Sequence, residues 1–188
     1  MIKILIVLLI GLITTTEKVA VERDGIVVIE AESVALGSGW KLETDSPGYS
    51  GDGYITWDGE NMYDKPGTGE NSYHVHIHNP GTYYLQLRNY HNDPDPTECN
   101  DLFVKINDGE WIKTYSHVIN QWNWHTGFDI QHVWGMLPKL ELKAGPNTIF
   151  FSGRSKGFSI DRLVLVIAEK LALDAWQHQT ESDKRDQE

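Results

Sequence analysis

The chain has 188 residues with 27 acidic and 16 basic side chains, a formal charge of −11. That balance argues against nucleic acid or an anionic membrane surface as partner. A single cysteine, Cys99, excludes an internal disulfide.

The chain opens with MIKILIVLLIGLITTTEKVA, one lysine before an apolar run from Ile4 to Ile13 and then small polar residues. The run is shorter than the roughly 20 residues a bilayer span needs and has the layout of a secretory signal peptide. The expected division is a signal peptide over 1–20, one folded domain over 24–167 and a charged tail over 168–188. The predicted location is secreted or periplasmic, with no membrane contact after cleavage. Roughly 165 residues remain, enough for one domain with a sizeable core.

Next comes VVIEAES, residues 27–33. In a strand, Val27, Ile29 and Ala31 share one face and Val28, Glu30 and Glu32 the other. Two carboxylates side by side repel unless something positive lies between them. Further on, YHVHIHNPGTYYLQLRNY reads as two strands joined at Asn79-Pro80-Gly81. LFVKINDGEWIKTY reads as a hairpin turning at Asn107-Asp108-Gly109. LELKAGPNTIFFSG repeats the theme around Gly145-Pro146-Asn147, and GFSIDRLVLVI closes the domain as an apolar strand. Short strands with turn punctuation and no long helical period predict an all-β fold, a two-sheet antiparallel β-sandwich of the jelly-roll kind. From Ala168 the pattern is lost, and the tail is expected to begin as a short helix and end solvated.

Several groups of side chains invite chemistry. His74, His76 and His78 share a strand face with zinc-compatible spacing, but the opposite face, Val75 and Ile77, is apolar. The histidines are therefore expected on the solvent face and not at a metal. Trp57, Trp122, Trp124 and Trp134 fall in or beside loops, where large aromatics either mark a recognition surface or plug the ends of the sandwich. Trp122 and Trp124 are placed on one side of an extended segment. Arg154 and Lys156 precede the last strand, and Arg88 and His91 end another. Arginine is suited to carboxylate or sulfate through its bidentate fork, and the alternative is an ordinary solubilising surface. Asp161 lies inside the final apolar run and must be paired or bound. With Glu30 and Glu32 it makes three hard oxygen donors, which suit calcium better than zinc. Arg162 is the competing partner, but strict alternation sends it to the other face from Asp161.

IEAES, YSGDGYITW, NPGTYYLQLR, LELKAGPNTIFFSG and SIDRLVLV, in that order, resemble the carbohydrate-binding modules of families 6 and 35. The likeness runs from about Ile26 to Val166. It implies a non-catalytic β-sandwich of the galactose-binding-like type in which Glu30, Glu32 and Asp161 hold a structural calcium ion, completed by a carbonyl of the Ser50–Gly53 loop. It also implies polysaccharide or oligosaccharide binding by loop aromatics, here Trp57, Tyr63, Trp122 and Trp124. Apart from the resemblance, Arg88, His91 and Arg154 are candidate polar groups of that site, and the arginines, as cations in an acidic chain, suit an acidic or sulfated glycan. The loops WDGENMYDKPGTGENSY and HNDPDPTECNDLF depart from the pattern in length or polarity. The expected role is a glycan-binding protein acting alone or alongside carbohydrate-active enzymes. The alternative is a secreted polysaccharide lyase or hydrolase using the strand carboxylates or the histidines.

Overall fold

The computed structural model describes residues 18–131 and 133–186, without the side chain of Trp134. The signal-peptide run therefore lies outside the described residues. In chain order the strands are β1 (Lys18–Val21), β2 (Ile26–Glu30), β3 (Trp40–Glu43), β4 (Tyr54–Trp57), β5 (Asn71–Ile77), β6 (Gly81–Tyr90) and β7 (Asp101–Ile106). They continue with β8 (Ile112–Tyr115), β9 (Gly127–Ile130), β10 (Val133–Met136), β11 (Lys139–Leu142), β12 (Gly145–Gly153), β13 (Ser159–Ile167) and β14 (Lys184–Asp186). They form two sheets. One runs β10-β9-β8-β7-β12-β5-β1-β14, and the other runs β11-β6-β13-β4-β3, with β2 also on β13.

The architecture is the expected β-sandwich. Alternation in β5 buries Tyr73, Val75 and Ile77 and leaves Ser72, His74 and His76 half-buried on the outer face. β6 likewise turns Tyr83, Leu85 and Leu87 inward. These residues meet Val104, Phe151, Ile55 and Leu163 in one core between the sheets. The hairpin at Asn107–Gly109 joins β7 to β8, which pair antiparallel. At the other two turns the chain changes sheets, because β5 and β12 belong to one layer and β6 and β11 to the other. One pairing departs from the all-antiparallel expectation: β1 lies parallel to β5.

Strands also lie outside the expected domain of residues 24–167. β1 precedes residue 24 yet belongs to the larger sheet, where it also pairs with β14. Between β13 and β14 the chain forms two 3-10 turns, Ala168–Leu173 and Ala175–His178. Trp176 is buried on the outer side of the smaller sheet against Val28, Val164 and Val166. The tail is therefore anchored on the fold through Trp176, while most of its other side chains stay exposed. A charge-rich composition concealed one large apolar anchor.

Glu22, just after β1, is a buried carboxylate that the strand pattern did not predict. It accepts hydrogen bonds from the Gly25, His78 and Asn79 amides and from the Asn79 side chain. Burial opposes its ionisation, but these donors outweigh burial and leave the carboxyl below its ordinary range.

Candidate functional site

β13 does not alternate strictly. Its register against β6 shifts between Ile160 and Arg162, so Asp161 is the extra residue of a bulge. The bulge brings Asp161 and Arg162 to the same outer region of the smaller sheet, contrary to the expectation that they face apart. Arg162 Nε lies 3.1 Å from Glu30 Oε1. Arg88 Nη1, from the neighbouring strand β6, lies 2.5 Å from Asp161 Oδ2. The competing ion-pair explanation therefore holds for Glu30, and Asp161 has an arginine partner that the sequence did not suggest.

Glu32 reaches the same region by a different route. β2 ends at Glu30, and Ala31–Ser33 form a 3-10 turn. The Ser50–Asp52 loop closes over the group. Ser50 Oγ donates to Glu30 Oε2 at 2.7 Å, the Ser50 amide to Asp161 Oδ1 at 2.8 Å and the Asp52 amide to Glu32 Oε1 at 2.9 Å. The loop thus meets these carboxylates with N–H and O–H donors. Gly51 allows the close approach: its φ is +64°, and a Cβ there would lie 2.3 Å from Glu32 Oε1.

The charges are not fully compensated. Glu32 Oε2 is buried and has no hydrogen-bond partner. Burial pushes the Glu30 carboxyl above its ordinary range, against the pull of Ser50 and Arg162, while Asp161 and Glu32 add repulsion. Burial raises Glu32 as well, and Asp161 and Glu181 add to it. Among the described residues no group of three or more carboxylate, imidazole or thiol side chains is arranged to hold a metal ion. The three carboxylates are hard oxygen donors of the type calcium takes, and Glu32 Oε2 is unpartnered, but Arg88 and Arg162 already stand against the other two.

The aromatic residues separate into distinct environments. Trp57 is a core residue, 2% exposed, edge-on to Trp40 with ring centroids 5.4 Å apart. Its indole fills the space beside Gly153, where a Cβ would fall 2.1 Å from the ring. It cannot touch a ligand, so the plug reading holds there. Trp122 is wedged against Tyr54 and Tyr90, with the Arg88 guanidinium 5.3 Å from its ring centroid. Trp124 packs edge-on against Trp176 at 5.1 Å. Asn123 between them exchanges backbone hydrogen bonds with Asn89 of β6, which holds both tryptophans over the outer face of the smaller sheet. His91 is fully buried beside Phe158, and burial pushes its imidazole below the ordinary range. It is not a group at the edge of a ligand site.

Tyr63 differs from all of these. It is 44% exposed, and the Arg154 guanidinium lies 4.9 Å from its ring centroid. Two backbone contacts fix the pair: the Met62 amide donates to Arg154 O at 2.7 Å and the Lys156 amide to Asn61 Oδ1 at 2.8 Å. The turns carrying Tyr63 and Arg154 are thereby zipped together at the end of the sandwich. Arg154 also pairs with Asp101, which Lys113 approaches at 3.5 Å. Lys113 is in turn 3.3 Å from Asp129. Asp101, Lys113 and Asp129 carried no signal in the sequence, because strand registers bring them together from β7, β8 and β9.

On β5, His74 Nδ1 is 3.0 Å from Thr148 Oγ1, and the His76 and His78 rings are 5.1 Å apart. His76 Nδ1 is also 2.5 Å from a guanidinium nitrogen of Arg185.

No family model matches the chain, and no curated protein matches it. Solved structures do. The GH26-CBM35 β-(1,4)-mannanase of Podospora anserina matches at 23% identity and TM-score 0.56, over 77% of this chain and 28% of the mannanase. A family 35 carbohydrate-binding module from Clostridium thermocellum matches at 22% identity and TM-score 0.53, over 74% of this chain and 97% of the module. A CBM35 from Paenibacillus barcinonensis matches at 17% identity and TM-score 0.51, over 76% of this chain and 99% of that one. The chain thus spans about a quarter of the mannanase and nearly the whole of the isolated modules. The bulged sandwich built here is the fold of the family 35 carbohydrate-binding modules.

Proposed function

We propose that the protein binds a carbohydrate without catalysis, on the platform formed by Tyr63 and Arg154. The observation that carries this reading is the exposed Tyr63 ring, braced by a guanidinium and fixed by the zipped turns. A flat aromatic face suits the apolar face of a sugar ring, and polar groups at its rim suit the hydroxyls. A braced ring also loses little conformational freedom on binding. The likeness to carbohydrate-binding modules supports the same class of ligand. The cations that suggested an acidic or sulfated glycan are already paired, Arg154 with Asp101 and Arg88 with Asp161. That pairing favours a neutral sugar.

Calcium is the second part of the proposal. Glu30, Glu32 and Asp161 would hold the ion, and it would supply positive charge to a group that is short of it. Ser50 and the Asp52 amide orient two of these carboxylates, while Arg88 and Arg162 offset part of their charge. The role is structural, since these side chains are hydrogen-bonded into the fold.

The test is incubation with a panel of insoluble and soluble polysaccharides, scored separately for depletion of the protein and for new reducing or unsaturated ends. The expected result is depletion by at least one neutral polysaccharide, without product ends, lost in Tyr63→Ala. New chain ends would establish the lyase or hydrolase reading instead.

A further inference from the structure

β1 begins at Lys18, a few residues behind the apolar run that reads as a secretory leader. The strand is built into the fold on both sides. Lys18–Ala20 pair antiparallel with β14, and Val19–Val21 pair parallel with β5. Val19 and Ala20 are 8% and 2% exposed, and Ala20 belongs to the core between the sheets. At the end of the strand the Val21 amide donates to Asp183 O and the Glu22 amide to His76 O, each at 2.9 Å. β14 stands at the end of the larger sheet with β1 as its neighbour. A cut after Ala20 would therefore delete three paired residues, open the edge of β5 and leave β14 without its partner strand. The folded domain needs the chain from Lys18 onward.

The sequence sets the limit from the other side. Leader cleavage takes small residues at the first and third positions before the scissile bond. Between Ile13, where the apolar run ends, and Lys18 stand Thr14, Thr15, Thr16 and Glu17. A cut after Thr14 would put Leu12 in the third position, and a cut after Thr15 would put Ile13 there. A cut after Glu17 would put a carboxylate in the first. Thr14 and Thr16 are the pair in this window with small side chains at both positions. Ala20 fails here as well, since its third position is Lys18.

We propose that export processing hydrolyses the Thr16–Glu17 bond, so that the mature protein begins at Glu17 and keeps β1 whole. This rests on the reading of the N-terminal run as a secretory leader and is independent of the carbohydrate site. The agent is a leader endopeptidase of the export machinery. Water adds across the amide, leaving a carboxylate on Thr16 and an ammonium group on Glu17.

The test is secretion of the full chain from a bacterial host, with the intact mass and the N-terminal peptide of the exported protein read by mass spectrometry. The expected product begins at Glu17, and Thr16→Leu should abolish that species. An exported protein beginning at any other residue would overturn the inference and leave the leader standing. Export of the uncut chain, or no export, would overturn both. A second measurement compares folded chains that begin at Glu17 and at Val21. The shorter chain should melt at least about 4 °C lower and lose hydrogen-exchange protection over 184–186. Equal melting and equal protection would remove the structural ground for placing the cut before Lys18.

Discussion

Trp57 and Tyr63 are six positions apart, and their environments assign them opposite roles. Trp57 is enclosed, so Trp57→Ala opens a cavity and should cost about 3–5 kcal/mol. For a chain of this size that lowers the melting temperature by at least about 6 °C, measurable by calorimetry. Tyr63→Ala removes an exposed ring and should leave the melting temperature nearly unchanged. It should weaken glycan binding by about thirtyfold, the equivalent of roughly 2 kcal/mol at a binding hot spot. A Tyr63 variant that melts early and still binds would reverse these assignments. His91 makes a pH prediction at the same scale. Burial disfavours its charged form, so its folded pKa lies below its unfolded one. Its contribution to stability is therefore complete above the unfolded value of about 6.5 and is lost as pH falls through the folded value. His117, Asp93 and Asp101 also act on this imidazole, the first lowering its pKa and the carboxylates raising it. Between pH 7 and 5.5 the wild type should lose thermal stability, and His91→Leu should lose less.

At the scale of elements, the bulge in β13 and the corner after β1 matter most. One extra residue at Asp161 aims two consecutive charged side chains at one region, and the ion pairs of Glu30 and Asp161 depend on it. The β1–β2 corner depends on Glu22, which holds three backbone amides. Glu22→Ala leaves those donors buried without a partner and should cost at least about 3 kcal/mol, read from a urea melt. A cost under about 1 kcal/mol would mean that water reaches them. The carboxylate group makes a prediction about calcium. A ligand bound only by the folded state adds about 2.7 kcal/mol at a hundredfold excess over Kd. Chelation should therefore lower the melting temperature by about 5–10 °C, and Asp161→Asn should abolish that response. An identical melting curve with and without chelator would remove the structural role of the ion.

Across the described residues, the two sheets share one core, and the first and last strands, β1 and β14, lie side by side at one edge of the larger sheet. Among the described residues no helix is long and apolar enough to cross a membrane. The platform at Tyr63 and the carboxylate group belong to separate environments, so ligand binding and calcium stabilisation should be separable. Tyr63→Ala should retain the response to chelation, while Asp161→Asn should retain a measurable affinity for the glycan below its melting temperature. The neutral-sugar reading is also a whole-molecule prediction. Raising salt from about 0.05 to 0.5 M screens charges over a shorter distance, and binding should hardly change. A steep loss of affinity would restore the acidic glycan and give the arginines a direct role.

What the sequence alone determined was everything carried by alternation and turn chemistry. The period of two in HVHIH and in YYLQLR assigns core and outer faces, and Asn107-Asp108-Gly109 closes its hairpin. Those signals are local, so no partner strand is needed to read them. The order of motifs from IEAES to SIDRLVLV pointed to the fold for the same reason. Only the tertiary structure decided where Trp57 and His91 sit, because a loop-flanked aromatic has one composition whether it plugs the core or faces solvent. Only it revealed the pairing of Arg88 with Asp161, since the bulge that aims Asp161 is a mismatch between two strands and has no mark in either. The course of the tail was hidden for a related reason: its charges read as solvated, while Trp176 and a backbone hydrogen bond from Ser182 to Val28 of β2 fix it.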